Sequence, residues 1–366
     1  MGLAERLKAM ESQSQAVPNV PTVSVPQPSA PPMETHIPAV NEPAMGYPVY
    51  PQQTNPQISV QPAVFTPVVN QPTRTIPSNQ PGPYYLPVKL RVDAVILGKG
   101  LQHFYPPNSP QYNNLLIRLS HIDFPAIAAK RKIPLELAFD LAAMGLYDIV
   151  MFADDSGSMD FDEKWVPSTE KTDDLKLIFS RIVEFAILLD DDGISIRFFN
   201  NNGVFDNVVS EQQAIKTVED VKCGGGTPIG KNIVTKVFQP YVYSKAQSNQ
   251  LSKPVLVYII TDGEPDNKVE LKQNILQCKD WLQTTPYGKS SVSIMFAQVG
   301  RDEKAANYLK VELDNDPDIG QDVDSTGNFE LEYAKYEKKG VSLHPDIWLL
   351  QMMLGAIDSQ YDSGND

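Results

Sequence analysis

The chain has 366 residues, a length that suits about two average domains. Its 45 acidic residues outnumber its 31 basic ones, for a formal net charge of −14, and this excess argues against a nucleic-acid-binding protein, which needs a basic face. Two cysteines are too few for a disulfide framework. Residues 1–10 lack the apolar core of a secretory signal, and no apolar run is long enough to span a membrane. We therefore expect a soluble protein of the cytoplasm, with the nucleus as the alternative.

Proline is concentrated in the first quarter of the chain. Residues 1–90 hold 18 of the 31 prolines but only four acidic and four basic residues. This composition buries too little apolar surface to offset the entropy of ordering. It predicts a disordered tail over residues 1–87, of which residues 1–85 are expected to be dispensable for folding, with at most a short helix of low stability at 3–13. One tetrapeptide in this tail matches a motif that proline-motif readers bind, although chance explains it better in so proline-rich a segment: Pro28, Ser29, Ala30 and Pro31.

Residues 88–146 are expected to form an N-terminal extension that packs on the core. The alternation of apolar and polar residues from Val88 to Leu97 predicts a strand, and NLLIRL at 114–119 predicts another. Pro134 and Gly145 are typical of the start and the end of a helix.

From residue 147 onward, strand and helix patterns alternate. Buried strands are predicted at 147–153, 194–199, 255–260 and 292–299, and helices at about 172–189, 228–240, 267–284, 302–313 and 344–358. Thr172 is the expected cap of the first of these helices, and Asn200–Gly203 predicts a hairpin turn. The alternation predicts an α/β domain over 147–358, with a doubly wound, mainly parallel sheet flanked by helices, and a disordered C-terminus at 359–366.

Three loops of this predicted domain carry side-chain oxygens. Asp154, Ser156 and Ser158 follow the first strand, Thr227 follows three glycines, and Asp262 follows the strand at 255–260. Because ligands of open α/β sheets lie at the carboxyl ends of the strands, we expect these five residues to converge. An all-oxygen set suits Mg²⁺, Mn²⁺ or Ca²⁺. Since only two of the five are carboxylates, a bound ion would stay electrophilic and could accept a carboxylate from a partner protein.

The neighbours of these residues are interpreted as supporting groups. Asp155, Gly226 and Gly263 are assigned to the ligand-binding surface, with Asp155 capping a helix or facing solvent rather than binding the metal. Cys223 is interpreted as an inert thiol close to the site. The plainer interpretation of the first loop is a polar turn with capping serines, and it leaves the placement of Thr227 and Asp262 unexplained.

The order of these motifs resembles a known family. Asp-x-Ser-x-Ser after a buried strand, a later Gly-Gly-Thr-Pro and then Thr-Asp-Gly resemble the metal-ion-dependent adhesion site (MIDAS) of von Willebrand factor A-type (vWA) domains, over residues 146–313. The sequence of the segment IPLELAFDLAAMGLYDIVMFADDSGSM is similar to that of intracellular vWA proteins of fungi and other single-celled eukaryotes. The resemblance implies that Ser156, Ser158 and Thr227 approach the ion directly. It also implies that Asp154 and Asp262 do so directly or through water.

The resulting functional hypothesis is a non-enzymatic, metal-dependent protein-interaction module that binds an Asp or Glu of a partner. One alternative is a metal-dependent phosphohydrolase with Asp154 as nucleophile. It lacks the second acid of an Asp-x-Asp motif, because Ser156 stands there, and no motif places a lysine or general base. The other alternative is a structural subunit of an ATPase-linked or ubiquitin-linked assembly, which differs in its partner rather than in its chemistry.

Overall fold

A six-stranded sheet organises the domain. The computed structural model describes residues 2–15, 80–162, 164–189, 192–320 and 323–361. Its strands are β1 (Asp148–Ala153), β2 (Ile194–Phe198), β3 (Phe205–Val208), β4 (Val255–Thr261), β5 (Val292–Gln298) and β6 (Val323–Thr326). They lie in the order β3-β2-β1-β4-β5-β6, and only β3 runs antiparallel to its neighbour. The mainly parallel α/β sheet flanked by helices is therefore confirmed, as is the hairpin between β2 and β3.

Helices connect and flank these strands. Before the sheet come α1 (Leu3–Gln15), α2 (Tyr85–Lys99), α3 (Pro110–Ser120), α4 (Phe124–Arg131) and α5 (Leu135–Asp140). Within and after the sheet come α6 (Glu170–Leu189), α7 (Glu211–Asp220), α8 (Ile229–Ile233), α9 (Ser244–Gln247), α10 (Lys268–Gln283), α11 (Glu303–Asn307), α12 (Phe329–Lys338) and α13 (Pro345–Leu354). Two π-helical turns, Val234–Tyr243 and Tyr308–Asp314, continue α8 and α11.

The central strands are buried along their whole length. Every residue of β4 and β5 is buried, which is what a parallel sheet covered on both faces requires. The strand order reverses at β1, so β1 and β4 form the switch point of the sheet, where open α/β folds leave a crevice for ligands.

The two strands predicted in residues 88–146 are wrong, because this part of the chain is helical. Val88, Val92 and Val95 of α2 are buried and recur with the spacing of one helix face. The alternation of apolar and polar residues that predicted a strand here is compatible with this helical spacing. Pro110 opens α3, and the Ser109 hydroxyl caps it by accepting the Tyr112 N–H at 3.2 Å.

Other boundaries differ in detail. Because α6 begins at Glu170, Thr172 lies inside its first turn and is not its cap. Gly145 sits in a buried 3₁₀ turn, Leu141–Leu146, that continues α5 rather than ending it. Strand β6 and helices α7 and α12 were not predicted.

The first helix is a packed part of the domain. Leu3 and Leu7 of α1 are buried, and the Arg6 guanidinium donates to Asp140 Oδ2 at 2.8 Å. The Tyr361 hydroxyl donates to the same oxygen at 2.6 Å. This packing argues against the expectation that residues 1–85 are dispensable as far as α1 is concerned, and Tyr361 is buried although it lies in the predicted C-terminal tail.

The remaining expectations for the tail, the predicted disorder of 16–79 and the motif Pro28–Pro31, lie outside the described residues, as do 362–366. Among the residues that are described, no helix combines the length and the apolar character that a bilayer crossing needs.

Candidate metal centre

The first loop of the predicted site follows β1 and is held by short hydrogen bonds. Asp154 is 1% exposed. Its Oδ1 accepts the Ser156 N–H at 2.8 Å, and its Oδ2 accepts the Thr261 hydroxyl at 2.6 Å. Because Thr261 ends β4, this second bond joins the carboxyl ends of the two strands at the switch point. Sequence analysis did not select Thr261, although it stands in the Thr-Asp-Gly motif.

The hydroxyls of the same loop continue the chain of oxygens to the second loop. Ser156 Oγ lies 3.0 Å from Ser158 Oγ, and the Ser158 hydroxyl donates to Asp262 Oδ1 at 2.9 Å. Adjacent ligands of an octahedral Mg²⁺ are also about 3 Å apart, since each lies about 2.1 Å from the ion. The spacing of these three oxygens, and their hard character, fit a divalent cation.

The glycine-rich loop packs against both of the others. The Gly157 N–H donates to the Gly225 carbonyl at 3.2 Å, and the Thr227 N–H donates to Asp266 Oδ1 at 2.9 Å. Gly225 has φ +88°, which favours glycine. A Cβ on Gly226 would lie 2.7 Å from Asp266 Oδ2, so a side chain there would displace the carboxylate that accepts the Thr227 N–H.

Thr227 is thus brought to the site by its backbone. Its side chain is half-buried, and within the described residues its hydroxyl forms no side-chain hydrogen bond. The structure places Asp154, Ser156, Ser158 and Asp262 in one hydrogen-bonded chain, with Thr227 in the adjoining loop. Their role as metal ligands stays a prediction.

A lysine that sequence analysis missed enters this site from α6. Lys171 Nζ lies 2.8 Å from Asp262 Oδ2 and 3.3 Å from the Ser158 carbonyl oxygen. The side chains of Lys171 and Asp262 are only 8% and 2% exposed. The ammonium therefore neutralises one of the two carboxylates of the site from inside the protein. The signal for it was present, since Lys171 lies one turn before Leu175 on the buried face of α6.

The remaining carboxylate, Asp154, is electrostatically strained. Burial, and then the charge of Asp262, hold the pKa of its carboxyl well above the usual range, against the hydrogen bonds from Ser156 and Thr261. Placing positive charge beside Asp154 would relieve this cost. The donor set therefore suits a cation on grounds of charge as well as of spacing.

Two carboxylates are few for a metal site. Within the described residues, no group of three or more His, Cys, Asp and Glu side chains is placed to hold a metal ion. Any ion at this centre would therefore depend on the hydroxyls of Ser156, Ser158 and Thr227 in addition to Asp154 and Asp262.

Asp155 has a structural position and neither caps a helix nor faces solvent. It is 2% exposed. Its Oδ1 accepts the Asn200 N–H at 2.7 Å, and its Oδ2 accepts the Asn201 N–H at 2.7 Å. The Asp155 carboxylate thus holds the loop after β2 against the end of β1. The backbone carbonyl oxygen of Asp155 accepts the Gly224 N–H at 2.8 Å.

Gly263 and Cys223 are two further neighbours of the site that were interpreted from the sequence. The Gly263 N–H donates to the Thr261 hydroxyl oxygen at 3.2 Å, and the Gly263 carbonyl oxygen also lies 3.2 Å from this hydroxyl, whose shorter bond goes to Asp154. Burial, followed by the carboxylate of Asp160, raises the pKa of the Cys223 thiol to about 12. A thiol that stays protonated is a poor nucleophile and metal ligand, which agrees with the interpretation of Cys223 as inert.

Comparisons with known proteins leave the family open. No family model and no curated protein matches the chain. Among solved structures, proximal thread matrix protein 1 from the mussel byssus shares 16% identity at a TM-score of 0.35, over 52% of this chain and 46% of that one. The manganese-loaded Plasmodium vivax TRAP protein shares 14% identity at 0.32, over 54% of this chain and 74% of that one. Likenesses this distant carry no argument about function.

Proposed function

We propose that the chain is a metal-dependent protein-interaction module of the von Willebrand factor A type. In this proposal Asp154, Ser156, Ser158, Thr227 and Asp262 hold Mg²⁺, with Mn²⁺ or Ca²⁺ as the alternatives. A bound ion would supply an electrophilic position for an Asp or Glu carboxylate of a partner protein. The observation that carries the proposal is the run of oxygens at 3.0 and 2.9 Å from Ser156 through Ser158 to Asp262, at the switch point of the sheet.

The charges of the chain's own residues favour docking over tight permanent metal binding. Asp154 and Asp262 bring two negative charges, and Lys171 brings one positive charge within 2.8 Å of Asp262. The three together carry a formal charge of −1. A divalent ion would be left with net positive charge, which attracts an anionic side chain. Thr227 is the residue best able to respond, because its loop carries three exposed glycines.

For the phosphohydrolase alternative, a lysine lies at the site but an accessible nucleophile does not. Lys171 is the lysine that no motif supplied, yet its ammonium pairs with Asp262. Both oxygens of Asp154 already accept hydrogen bonds, and the residue is 1% exposed. A nucleophilic carboxylate needs an oxygen within reach of a substrate. The geometry therefore favours the docking hypothesis.

The experiment compares capture of partner proteins by the full-length chain in Mg²⁺ and in a chelator, for wild type and Thr227→Ala. Thr235→Ala, which removes an exposed threonine hydroxyl outside the site, is the matched control. We expect capture to require Mg²⁺ and to fall at least tenfold in Thr227→Ala alone, with the thermal midpoint unchanged in both variants.

Two outcomes would contradict the proposal. Capture that is insensitive to chelation and to Thr227→Ala would remove the metal from the mechanism. Hydrolysis of p-nitrophenyl phosphate that Asp154→Asn abolishes would place the protein among the phosphohydrolases. The capture assay and the hydrolysis assay together thus separate the docking module from the enzyme.

A further inference from the structure

Helix α2 is apolar on its exposed side as well as on its buried side. The buried side carries Val88, Val92 and Val95. On the opposite side, Leu86, Leu90 and Leu97 are 65%, 64% and 74% exposed. Since a helix that is apolar all round is ordinarily buried on every side, the exposed side of α2 has the composition of an interface.

The three leucines form one line along the helix. With 3.6 residues per turn they lie within about 40° of one another around the axis and span about 16 Å along it. The exposed Ala94 lies beside them. We refer to Leu86, Leu90, Ala94 and Leu97 as the leucine stripe, which contains no charged residue. A single exposed leucine is ordinary, whereas a contiguous apolar patch of this kind marks an interaction surface.

The other contacts of α2 fix the direction in which the stripe points. Arg91 Nε lies 2.9 Å from Asp140 Oδ1, and the Asp93 carboxylate accepts the Tyr112 hydroxyl of α3 at 2.5 Å. The helix cannot rotate to bury its leucines without losing these contacts. The buried side of α2 also packs on the turn Leu141–Leu146, which precedes β1. The candidate metal centre follows β1, so this inference does not depend on it.

The charges beside the stripe suit a second copy of the same surface. Lys89 and Asp93 form an ion pair along one edge of the stripe, and their side chains are 37% and 41% exposed. When two α2 helices pack antiparallel about a two-fold axis, both edges lie on the same side of the contact and run in opposite directions. Lys89 then lies opposite Asp93 of the partner subunit, and Leu86 lies opposite Leu97 of the partner subunit. In a parallel pair the two edges would lie on opposite sides, and these charges would not meet.

We propose that the chain self-associates through the leucine stripe, as an antiparallel, two-fold dimer of α2 helices. The occupant of the stripe is a second copy of this chain, because the charges at its edge complement themselves. A net charge of −14 disfavours the main rival occupant, an anionic membrane. Three leucines and an alanine per chain are a small surface beside the roughly 1,200–2,000 Å² of a standard interface, so we expect a weak dimer with a dissociation constant of about 10–100 µM.

Sedimentation velocity of the full-length chain between about 2 and 400 µM tests the inference. We expect the sedimentation coefficient to rise from that of a monomer towards that of a dimer across this range. Leu90→Gln and Leu97→Gln should each weaken association at least tenfold, because each substitution removes two leucines from a symmetric contact. Val269→Gln, which changes a side chain of α10 that is 65% exposed, is the matched control and should leave association unchanged. In dilute solution all three variants should keep the thermal midpoint of wild type, since the substituted side chains are exposed.

A charge reversal tests the antiparallel arrangement. Lys89→Glu places a carboxylate opposite Asp93 of the partner subunit, and it does so twice in each dimer. This substitution should therefore weaken association about fivefold. Lys89→Glu combined with Asp93→Lys exchanges the two charges within each chain and across the contact, and it should restore the association of wild type.

Several results would overturn the inference. A chain that remains monomeric at about 400 µM would leave the stripe to a different protein. A monomeric chain that cosediments with phosphatidylcholine vesicles, and loses this property in Leu90→Gln and Leu97→Gln, would assign the stripe to a membrane surface. Association that both leucine substitutions leave intact would place the dimer contact elsewhere. Association that Lys89→Glu leaves unchanged would contradict the antiparallel arrangement.

Discussion

Replacing Lys171 with methionine separates the two cations that the candidate centre can use, the resident ammonium and a metal. The substitution keeps most of the aliphatic stem and removes the charge that lies 2.8 Å from Asp262. Both side chains are more than nine-tenths buried, and removal of one partner from such a pair costs about 3–5 kcal/mol. For a chain of this size, we expect Lys171→Met without metal to lose on the order of 10 °C in thermal midpoint.

In the presence of Mg²⁺ the same variant should bind the ion more tightly than wild type does. A divalent ion at the centre and the Lys171 ammonium repel each other by about 6–7 kcal/mol at a separation of roughly 5 Å and an effective dielectric constant of about 20. Even a fifth of this repulsion corresponds to about a tenfold change in affinity. We therefore expect Lys171→Met to bind Mg²⁺ at least tenfold more tightly than wild type, and saturating Mg²⁺ to restore most of the lost stability.

Scanning calorimetry with and without Mg²⁺ measures both effects. Lys176→Met, which removes a partly exposed lysine from the same helix, is the control and should show neither. The reasoning is refuted if Lys171→Met is as stable as wild type without metal, or if Mg²⁺ stabilises the variant no more than it stabilises wild type.

Three further outcomes follow from the described contacts. Deletion of residues 2–15 should lower the thermal midpoint by several degrees in calorimetry, because the buried leucines of α1 and the partner of Asp140 are lost; an unchanged midpoint would show that α1 is not docked. Asp155→Ala should cost about 3 kcal/mol in denaturant unfolding and leave Mg²⁺ affinity unchanged, since its carboxylate holds Asn200; a large loss of affinity would contradict this and give Asp155 a part in metal binding. Burial and two nearby glutamates raise the pKa of Asp174 to about 6, so wild-type stability is lost as pH rises from about 4 towards 6. Asp174→Asn should therefore be more stable than wild type by about 1 kcal/mol at pH 7.5, after allowance for partial exposure, and equal to it near pH 4; equal stability at both pH values would contradict the shift.

The candidate centre was predictable because its parts are short motifs tied to strand ends. Asp154 follows an apolar run and Asp262 follows another, so the rule that parallel strands end at one edge brings them together before any coordinates are known. The serine spacing is likewise a property of one loop.

Lys171 was missed because a contact across 91 residues leaves no local motif. The helical face that it shares with Leu175 carried a usable signal, because a lysine at a buried position requires a charged partner. The docking of α1 was missed for the same reason, since Arg6 and Asp140 are 134 residues apart. The strands predicted at α2 and α3 were wrong because a short apolar pattern can fit both the repeat of a helix and the alternation of a strand.

Direct measurement of metal binding tests the central claim. Mn²⁺ titration of the full-length chain, followed through the paramagnetic resonance signal of the free ion, should show one bound ion per chain. Ser158→Ala and Asp154→Asn should each abolish or weaken this binding at least tenfold. Ser252→Ala, which changes an exposed serine that precedes the opposite end of β4, should leave it intact. A chain that binds no Mn²⁺, or that binds it equally well after Asp154→Asn, would contradict the assignment of this site as a metal centre.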